Sequence, residues 1–259
     1  MILQYKGINI FYTDNGTGVP VVLLHGFLEN YSMWDAFIPV LSKKNRIICI
    51  DLLGHGQTGC LGYIHSMELM AEIVKAVLDY LKISRSIIIG HSMGGYVALA
   101  FAENNPKDVI GLCLMNSTAN ADSSERKKNR DRAITAVKQN HKTFVRIAVV
   151  NLFRPKNRRL FANQIKLIKE QALKMPVQGI IAALEGMKIR KDREQLFKNA
   201  TFKKLMILSK KDPVLDFKSL IKQTKNAHIK VAEFPDGHMS HVENETLFLH
   251  TIVHFIEKI

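Results

Sequence analysis

The sequence has little cysteine, tryptophan or proline. Among its 259 residues are three Cys, one Trp and seven Pro. The cysteines lie far apart, at Cys49, Cys60 and Cys113, and no two have the spacing of metal ligands. A disulfide framework or a zinc site is therefore not indicated as the basis of the fold. Cys49 and Cys113 lie within apolar runs, and we expect reduced thiols and a cytoplasmic protein.

Long hydrophobic runs are also missing. No uninterrupted apolar stretch approaches the roughly 18–20 residues that a membrane-spanning helix needs. The first 16 residues do not have the basic segment followed by an apolar segment that marks a secretory signal. We therefore expect neither export by such a signal nor integral membrane association.

Acidic residues are scarce relative to basic ones. Asp and Glu number 23 against 37 Lys and Arg, which gives a formal net charge of +14. Nucleic acid, an anionic membrane surface or an acidic substrate could each attract such a charge. The basic clusters Arg126–Arg132 and Arg154–Arg159 lie in no recognised nucleic-acid module and have no stacking aromatics nearby. We therefore expect no nucleic-acid partner, and the favoured interpretation is a solvated, lysine-rich surface.

Apolar runs of strand length recur along the chain. They are continuous rather than alternating, which is typical of strands buried on both faces of a parallel sheet. The runs are Val19–Leu24, Arg46–Ile50, Ser86–Ile89, Val109–Met115, Lys204–Leu208 and Ile229–Phe234. The segment Gln4–Thr13 instead alternates and precedes Asp14-Asn15-Gly16, which predicts an antiparallel hairpin at one edge of the sheet.

Helix-period segments separate these strands. They are Ser66–Leu81, Gly94–Asn104, Phe217–Lys225 and Glu245–Lys258. Strands that alternate with helices over short links predict right-handed βαβ units. The predicted fold class is α/β: a doubly wound, mostly parallel eight-stranded sheet with helices on both faces.

The alternation stops after Met115. From about Ala121 to Glu194 the sequence is helical in pattern and strongly basic, with 19 Lys and Arg against seven Asp and Glu. An insert after the sixth strand of such a sheet lies over the carboxyl ends of the strands, where ligands bind. We therefore predict a helical cap at 121–196, between two parts of one core at 1–120 and 197–259.

The segment Gly90-His91-Ser92-Met93-Gly94 is the strongest chemical signal. It follows an apolar strand and precedes a helix rich in small residues. A serine at such a corner is held in a strained turn with its hydroxyl exposed, and the next backbone N–H can bind an oxyanion. Ser92 is thus the candidate nucleophile and Met93 a candidate oxyanion donor. A plain glycine-rich turn is the alternative interpretation.

A serine hydroxyl needs a positioned base. His238 is favoured among ten histidines because it lies in the turn after the last strand, on the predicted edge of Ser92. His241, three residues on, is the rival. His250 and His254 have the spacing of a metal-binding helix face, but no third ligand is in view, and no metal site is predicted.

The histidine in turn needs an anion that fixes its tautomer. Asp212 follows the strand Leu205–Leu208 and completes the order Ser, Asp, His, which is characteristic of one fold. Asp216 and Asp236 are alternative candidates for this anion. Asp212 itself could instead be a solvated loop residue or a helix N-cap without a catalytic role. Asn116, after the preceding strand, is not acidic.

A second loop at the same edge is His25-Gly26-Phe27, after the strand Val19–Leu24. Gly26 allows close backbone approach, and the Phe27 N–H would join that of Met93 in an oxyanion hole. His25, His91 and Met187 are further candidates for lining the substrate pocket.

Together these motifs resemble the α/β-hydrolase superfamily along nearly the whole chain. The matching segments are His25-Gly26-Phe27, Asp51–Gly56, Gly90–Gly95, Lys211-Asp212-Pro213 and Gly237-His238. The resemblance implies that Ser92 is the nucleophile, Asp212 the acid and His238 the base, with Phe27 and Met93 as oxyanion donors. In the family, a serine commonly follows the loop that Asp51–Gly56 resembles, and this sequence has Thr58 there.

The cap sequence resembles that of small esterases, enol-lactonases and haloperoxidase-like members, in Asn116–Arg130 and Gly186–Arg190. Haloalkane dehalogenases and epoxide hydrolases have Asp at the position of Ser92, so both are disfavoured. The leading hypothesis is a hydrolase of a small carboxylic ester or lactone that needs no cofactor. A C–C bond hydrolase or lyase of an anionic metabolite, and a non-catalytic ligand sensor, remain as alternatives. A homodimer is left open.

Overall fold

The computed structural model describes residues 1–259, which form one eight-stranded sheet with helices on both faces. The strands are β1 (Ile2–Tyr5), β2 (Ile8–Asn15), β3 (Val19–Leu24), β4 (Asn45–Ile50), β5 (Ser86–His91), β6 (Val109–Met115), β7 (Lys203–Ser209) and β8 (Lys230–Phe234). Their order is β1-β2-β4-β3-β5-β6-β7-β8. All pairs from β4 to β8 are parallel, and β2 is antiparallel to β1 and β4. The predicted fold class is confirmed.

Ten helices accompany the sheet. They are α1 (Ile38–Leu41), α2 (Met67–Tyr80), α3 (Met93–Asn104), α4 (Ser124–Leu152), α5 (Ala162–Ala172), α6 (Val177–Lys188), α7 (Glu194–Asn199), α8 (Phe217–Thr224), α9 (Ser240–Glu243) and α10 (Glu245–Glu257). The sequence pattern does not predict α1, because a single turn is too short to show a helical period. None of these helices combines the length and the hydropathy that a membrane crossing requires.

The central strands are apolar on both sides because both sides are covered. Along β3, Val22 and Leu24 belong to the core that α2 and α3 cover. Val21 and Leu23 point to the opposite core, which contains the apolar face of α10. Alternate side chains of a strand face opposite sides of a sheet, so a strand covered on both sides needs a continuous apolar run.

The predicted antiparallel hairpin at the sheet edge exists, but the prediction of its turn is wrong. The chain turns at Lys6-Gly7, where both residues have positive φ (47° and 81°), and β1 pairs with β2 on either side. Two central residues with positive φ suit the right-handed twist of a hairpin. The Asp14-Asn15 segment instead ends β2, and Gly16 follows it with a φ of 80°.

The segment between β6 and β7 is helical, as the sequence pattern predicts. It contains α4, α5, α6 and α7, and α4 packs against α5 and α6. The backbone of α4 is interrupted at Asn140 (φ −158°), whose side chain accepts a hydrogen bond from the Thr143 N–H at 3.0 Å and so caps the second half of the helix. The last helix, α7, crosses the predicted boundary at residue 196.

Close backbone contact holds α6 on the core. A Cβ at Gly179 would overlap the carbonyl of Gly54 in the loop after β4. Both positions therefore require glycine for this approach. The cap helix α6 can thus lie directly against the core loops at the carboxyl edge of the sheet.

Six histidines are buried, and burial lowers the pKa of four of them. These four are His25, His55, His65 and His241. The pKa of His55 and of His241 falls to about 3, and that of His65 to about 4. A histidine in the unfolded chain has a pKa of about 6.5. Because the folded values are lower, these groups favour folding above about pH 6.5 and lose that contribution as the pH falls.

We therefore expect the free energy of unfolding to fall steeply between about pH 6.5 and pH 4. Each proton that only the unfolded chain binds changes it by about 1.4 kcal/mol per pH unit, so three such histidines give about 4 kcal/mol per unit. His91, whose pKa is raised, does not oppose this loss, because its contribution is already complete below about pH 6.5. Urea unfolding followed by circular dichroism at pH 7, 6 and 5 measures the slope.

Two variants separate the buried histidines from exposed ones. His55→Gln should reduce the slope by about one proton, whereas His254→Gln, at an exposed position of α10, should leave it unchanged. A free energy of unfolding that stays constant from pH 7 to pH 4.5 would contradict the expectation.

Candidate active site

Ser92 lies between β5 and α3 in a backbone conformation that serine rarely adopts. Its φ is 49° and its ψ is −110°, which is strained for a residue with a Cβ. Its N–H donates to the Met115 carbonyl at 2.9 Å, and its carbonyl accepts from the Ser117 hydroxyl at 2.7 Å. A Cβ at Gly90 would overlap the Gly94 carbonyl. Hydrogen bonds and small neighbours thus hold the corner that presents the Ser92 side chain.

His238 and Asp212 form a hydrogen-bonded pair. The His238 Nδ1 lies 2.8 Å from the Asp212 Oδ2, and both side chains are almost fully buried. The other carboxylate oxygen of Asp212 accepts the N–H groups of Val214 (2.8 Å) and Leu215 (3.0 Å). Burial acts to raise the pKa of the Asp212 carboxyl, but the interaction with His238 and the hydrogen bonds outweigh it and hold the pKa below its ordinary value.

Asn116 is a site residue that the sequence analysis did not find. It follows β6 with a φ of 45°, is fully buried, and donates from its amide to the Asp212 Oδ2 at 3.1 Å and to the Ser209 Oγ at 2.8 Å. Its carbonyl oxygen accepts from the Ser240 hydroxyl. Asn116 therefore orients the Asp212 carboxylate from the end of β6, a position at which this chain has an amide and not an acidic residue.

The alternative residues have other contacts. Asp216 caps α8 by accepting from the Ser219 N–H at 2.7 Å, and Asp236 pairs with Arg154 at 2.7 Å. His241 is buried, and its Nε2 lies 3.8 Å from Glu29. Of the three candidate carboxylates, only Asp212 is bonded to His238.

Two backbone N–H groups are suited to an oxyanion hole. The Phe27 N–H makes no hydrogen bond within the protein, and Met93 is the first residue of α3, where an amide has no intrahelical partner. Phe27 lines the same cavity as Ser92. A Cβ at Gly26 would overlap the Glu29 carboxylate, so the loop requires glycine there.

A buried ion pair lies behind the site and connects its three segments. The Glu29 Oε2 accepts from the Gly26 N–H at 2.7 Å and from the His91 Nδ1 at 2.6 Å. The His91 Nε2 lies 3.1 Å from the His238 carbonyl oxygen. Both ring nitrogens of His91 face acceptors, so the imidazolium form satisfies both. The oxyanion loop, the Ser92 corner and the His238 loop are thus tied to one pair.

The electrostatics of this pair agree with its geometry. Burial acts to raise the pKa of Glu29, but His91 lowers it to about 2. Burial acts to lower the pKa of His91, but the charge of Glu29 outweighs it and raises that pKa. The Glu29 carboxylate and the His91 imidazolium therefore stabilise each other inside the protein.

A small cavity of about 100 Å³ lies between the cap and the candidate catalytic residues. Ser92 and His238 line it together with two of the predicted pocket residues, His91 and Met187. His25 does not line it, and this prediction is corrected. Its Nδ1 donates to the Gly26 carbonyl at 2.7 Å and its Nε2 accepts from the Leu52 N–H at 2.9 Å, so the ring is occupied inside the core.

Two arginines of the cap, Arg126 and Arg130, also line this cavity. The sequence pattern favours a solvated helix face for them, because a basic cluster on a helix shows no direction by itself. Their spacing of four residues places them on one face of α4, and this spacing is the only signal in the sequence that could group them.

A much larger cavity lies elsewhere in the molecule. It measures about 1070 Å³ and is lined by residues around Lys203 and Lys230, at the amino ends of β7 and β8. That is the edge of the sheet opposite Ser92. Ligands of open α/β sheets bind at the carboxyl ends of the strands, so the smaller cavity is the candidate active site.

The chain matches the family described as alpha/beta hydrolase fold over residues 19–245. It is 32% identical over 119 residues to a protein named non-heme haloperoxidase of Mycobacterium phage D29, a match that covers 46% of this chain and 43% of the phage protein. It is 36% identical over 115 residues to 2-hydroxy-6-oxo-2,4-heptadienoate hydrolase of Pseudomonas putida, covering 43% and 42% of the two chains. The matches thus span less than half the length of these curated relatives.

Among solved structures, a thermophilic esterase from Thermogutta terrifontis, determined with malate bound, superimposes with a TM-score of 0.92 at 28% sequence identity. The superposition covers 99% of this chain and 96% of the esterase. The likeness therefore includes the cap as well as the sheet.

Proposed function

Since the chain belongs to the alpha/beta hydrolase fold family, we propose that it is a serine hydrolase that cleaves a carboxylic ester or lactone through an acyl-enzyme on Ser92. One observation carries the proposal: a strained serine at the strand-to-helix corner shares a cavity with a histidine that is bonded to a buried carboxylate. This combination supplies a nucleophile, a base and a group that orients the base.

In acylation, the Ser92 Oγ attacks the carbonyl carbon of the substrate while its proton moves to the Nε2 of His238. The Nδ1–H of His238 donates to Asp212, which stabilises the imidazolium that forms. The N–H groups of Phe27 and Met93 bind the oxyanion of the tetrahedral intermediate. When the intermediate collapses, the bond to the leaving oxygen breaks, and His238 returns its proton to that oxygen.

Deacylation repeats these steps with water as the nucleophile. His238 takes a proton from the water as its oxygen attacks the acyl carbon, and the proton then passes to the Ser92 oxygen as the acid is released. For a lactone the leaving oxygen stays attached to the acyl group, so the product is a hydroxy acid. The cavity volume of about 100 Å³ favours a small substrate.

Hydrolysis of a C–C bond in an anionic metabolite is the second candidate function. Two arginines line the same cavity as Ser92, and the Pseudomonas putida relative is named as a hydrolase of a dienoate. Turnover of a 2-hydroxy-6-oxo-dienoate at a higher kcat/KM than any ester would favour this candidate. A third interpretation, a ligand sensor without catalysis, predicts a Ser92 that does not react.

Covalent labelling tests the nucleophile directly. We expect a fluorophosphonate probe to add to the folded protein once, with the adduct located by mass spectrometry on the peptide that contains Ser92. The reaction needs the serine to be deprotonated by His238, so denatured protein should remain unlabelled. An unlabelled folded protein would overturn the proposed function and favour a sensor.

A further inference from the structure

The two cap arginines lie between the catalytic cavity and a second, more open cavity beside it. Arg126 and Arg130 line the inner cavity with Ser92 and also line an outer one of about 270 Å³. The two cavities share Phe27 and Val214 as well. A ligand that reaches Ser92 through the outer cavity therefore passes both guanidinium groups.

The cap arginines are only partly neutralised. Asp122, whose side chain is fully buried, accepts the Nε of Arg126 (3.2 Å), the Nε of Arg130 (3.1 Å) and the Nη1 of Arg190 (2.6 Å). Three cations thus share one carboxylate. The arginines outweigh the effect of burial and hold the pKa of Asp122 below its ordinary value, so it is ionised, and the cluster has a formal charge of +2.

The three arginines differ in how their remaining donors are used. Arg190 donates to the carbonyls of Asn120 and Met187 and lies over the Tyr96 ring, so it is fixed in the protein. Arg126 donates its Nη1 to the Val214 carbonyl. Arg130 makes its only side-chain hydrogen bond through Nε, to Asp122. Its two terminal nitrogens have no partner in the protein, although its side chain is only 17% exposed.

The free donors of Arg130 have a geometry that suits a carboxylate. A guanidinium has five N–H donors, and parallel donors from its nitrogens match the two oxygens of a carboxylate. Asp122 holds the Nε of Arg130 and leaves its terminal nitrogens without a partner, and the Arg130 residue lines both cavities. N–H donors without a partner are costly in such a partly desolvated place, and an anionic ligand that accepts from them relieves that cost.

We propose that Arg130, with Arg126 beside it, binds a carboxylate of the substrate, so that the ester or lactone cleaved at Ser92 belongs to the class of carboxylate-bearing substrates. This inference rests on the proposed function for the position of the scissile bond. The cap charge between the two cavities is then a specificity element, in contrast to the solvated lysines elsewhere.

A matched pair of esters tests the proposal. Monomethyl glutarate has a carboxylate where methyl 5-oxohexanoate has an uncharged methyl ketone, and proton release in a pH-stat follows both. We expect the wild-type kcat/KM to be about tenfold to a hundredfold higher for monomethyl glutarate, since a hydrogen bond to a charged group contributes about 1.5–3 kcal/mol. Raising the salt concentration should reduce this preference, because the outer cavity is open to solvent.

The variants Arg130→Met and Arg132→Met locate the effect. Both remove one positive charge from α4, but Arg132 is exposed and lies outside the cavity. We expect Arg130→Met to bring the ratio of the two kcat/KM values close to one and Arg132→Met to keep the wild-type ratio. Because the ratio does not depend on how much protein is folded, partial misfolding of a variant does not affect the result.

A wild-type ratio near one, or an Arg130→Met ratio equal to that of the wild type, would overturn the inference and leave the proposed function standing. Binding of monomethyl glutarate to Ser92→Ala protein, measured by calorimetry, provides a test without turnover. If Ser92→Ala protein binds monomethyl glutarate and the added Arg130→Met substitution abolishes that binding, the carboxylate site is supported, whether or not the wild type hydrolyses the esters. Failure of the wild type to hydrolyse either ester would refute only the proposed function. Unchanged binding in the double variant would refute the carboxylate site.

Discussion

Replacing Ser92 by alanine is expected to lower kcat for p-nitrophenyl acetate on the order of 10⁶-fold, the size of effect seen when a triad serine is removed. The proposed acyl-enzyme forms on the Ser92 oxygen, and no other hydroxyl is placed in the strained corner between β5 and α3. Any remaining rate would come from the oxyanion donors and His238 acting on water. Release of p-nitrophenolate by purified protein measures the loss.

Ser84→Ala is the matched control for this substitution. Ser84 is exposed and lies before β5, on the opposite edge of the sheet from the site. Its replacement should leave kcat within about twofold, as expected for a surface position away from special contacts. If Ser92→Ala retained the wild-type rate, the esterase activity of the protein would not depend on this serine, and the proposed mechanism would be wrong.

Asp212→Asn is expected to lower kcat on the order of 10⁴-fold while the fold is kept. The carboxylate accepts from His238, Asn116, Val214 and Leu215. An amide in its place has one nitrogen that cannot accept, so it either faces a backbone N–H or forces His238 into the wrong tautomer. The Asp212 carboxylate also stabilises the imidazolium, and a neutral amide does not.

Asp216→Asn separates this role from a general effect of charge near the site. Asp216 caps α8 through its side-chain oxygen, and asparagine caps a helix about as well as aspartate. We expect its kcat to stay within about twofold of wild type. Equal losses in the two variants would contradict the assignment of Asp212 as the orienting group.

How much of the site can be predicted from the sequence depends on how local its signals are. The corner at Ser92 is encoded by neighbours, since an apolar strand, two glycines and a helix of small residues occur within one short segment. The sites of His238 and Asp212 follow from strand ends, because the ends of parallel strands meet at one edge. The local pattern alone therefore brings these three residues into consideration.

Asn116 and Glu29 are site residues that local sequence patterns do not predict. Asn116 follows a strand like the other site residues, but an amide cannot be the acidic partner of a histidine, so its residue type does not indicate that it orients the carboxylate. Glu29 belongs to the loop after β3, and its pairing with His91 joins segments 62 residues apart. The sequence around Glu29 and the sequence around His91 do not indicate this contact, since it forms only when the two loops pack together.

The sequence by itself determined the sheet, the strained serine corner and the order of the three candidate catalytic residues, because apolar periodicity and turn chemistry act over a few neighbouring residues. Only the tertiary structure decided that His25 is held within the core, that His91 pairs with Glu29, and that Arg130 faces the cavity of Ser92. Those outcomes depend on which groups meet when distant segments pack and water is excluded, and a pattern along the chain does not contain that information.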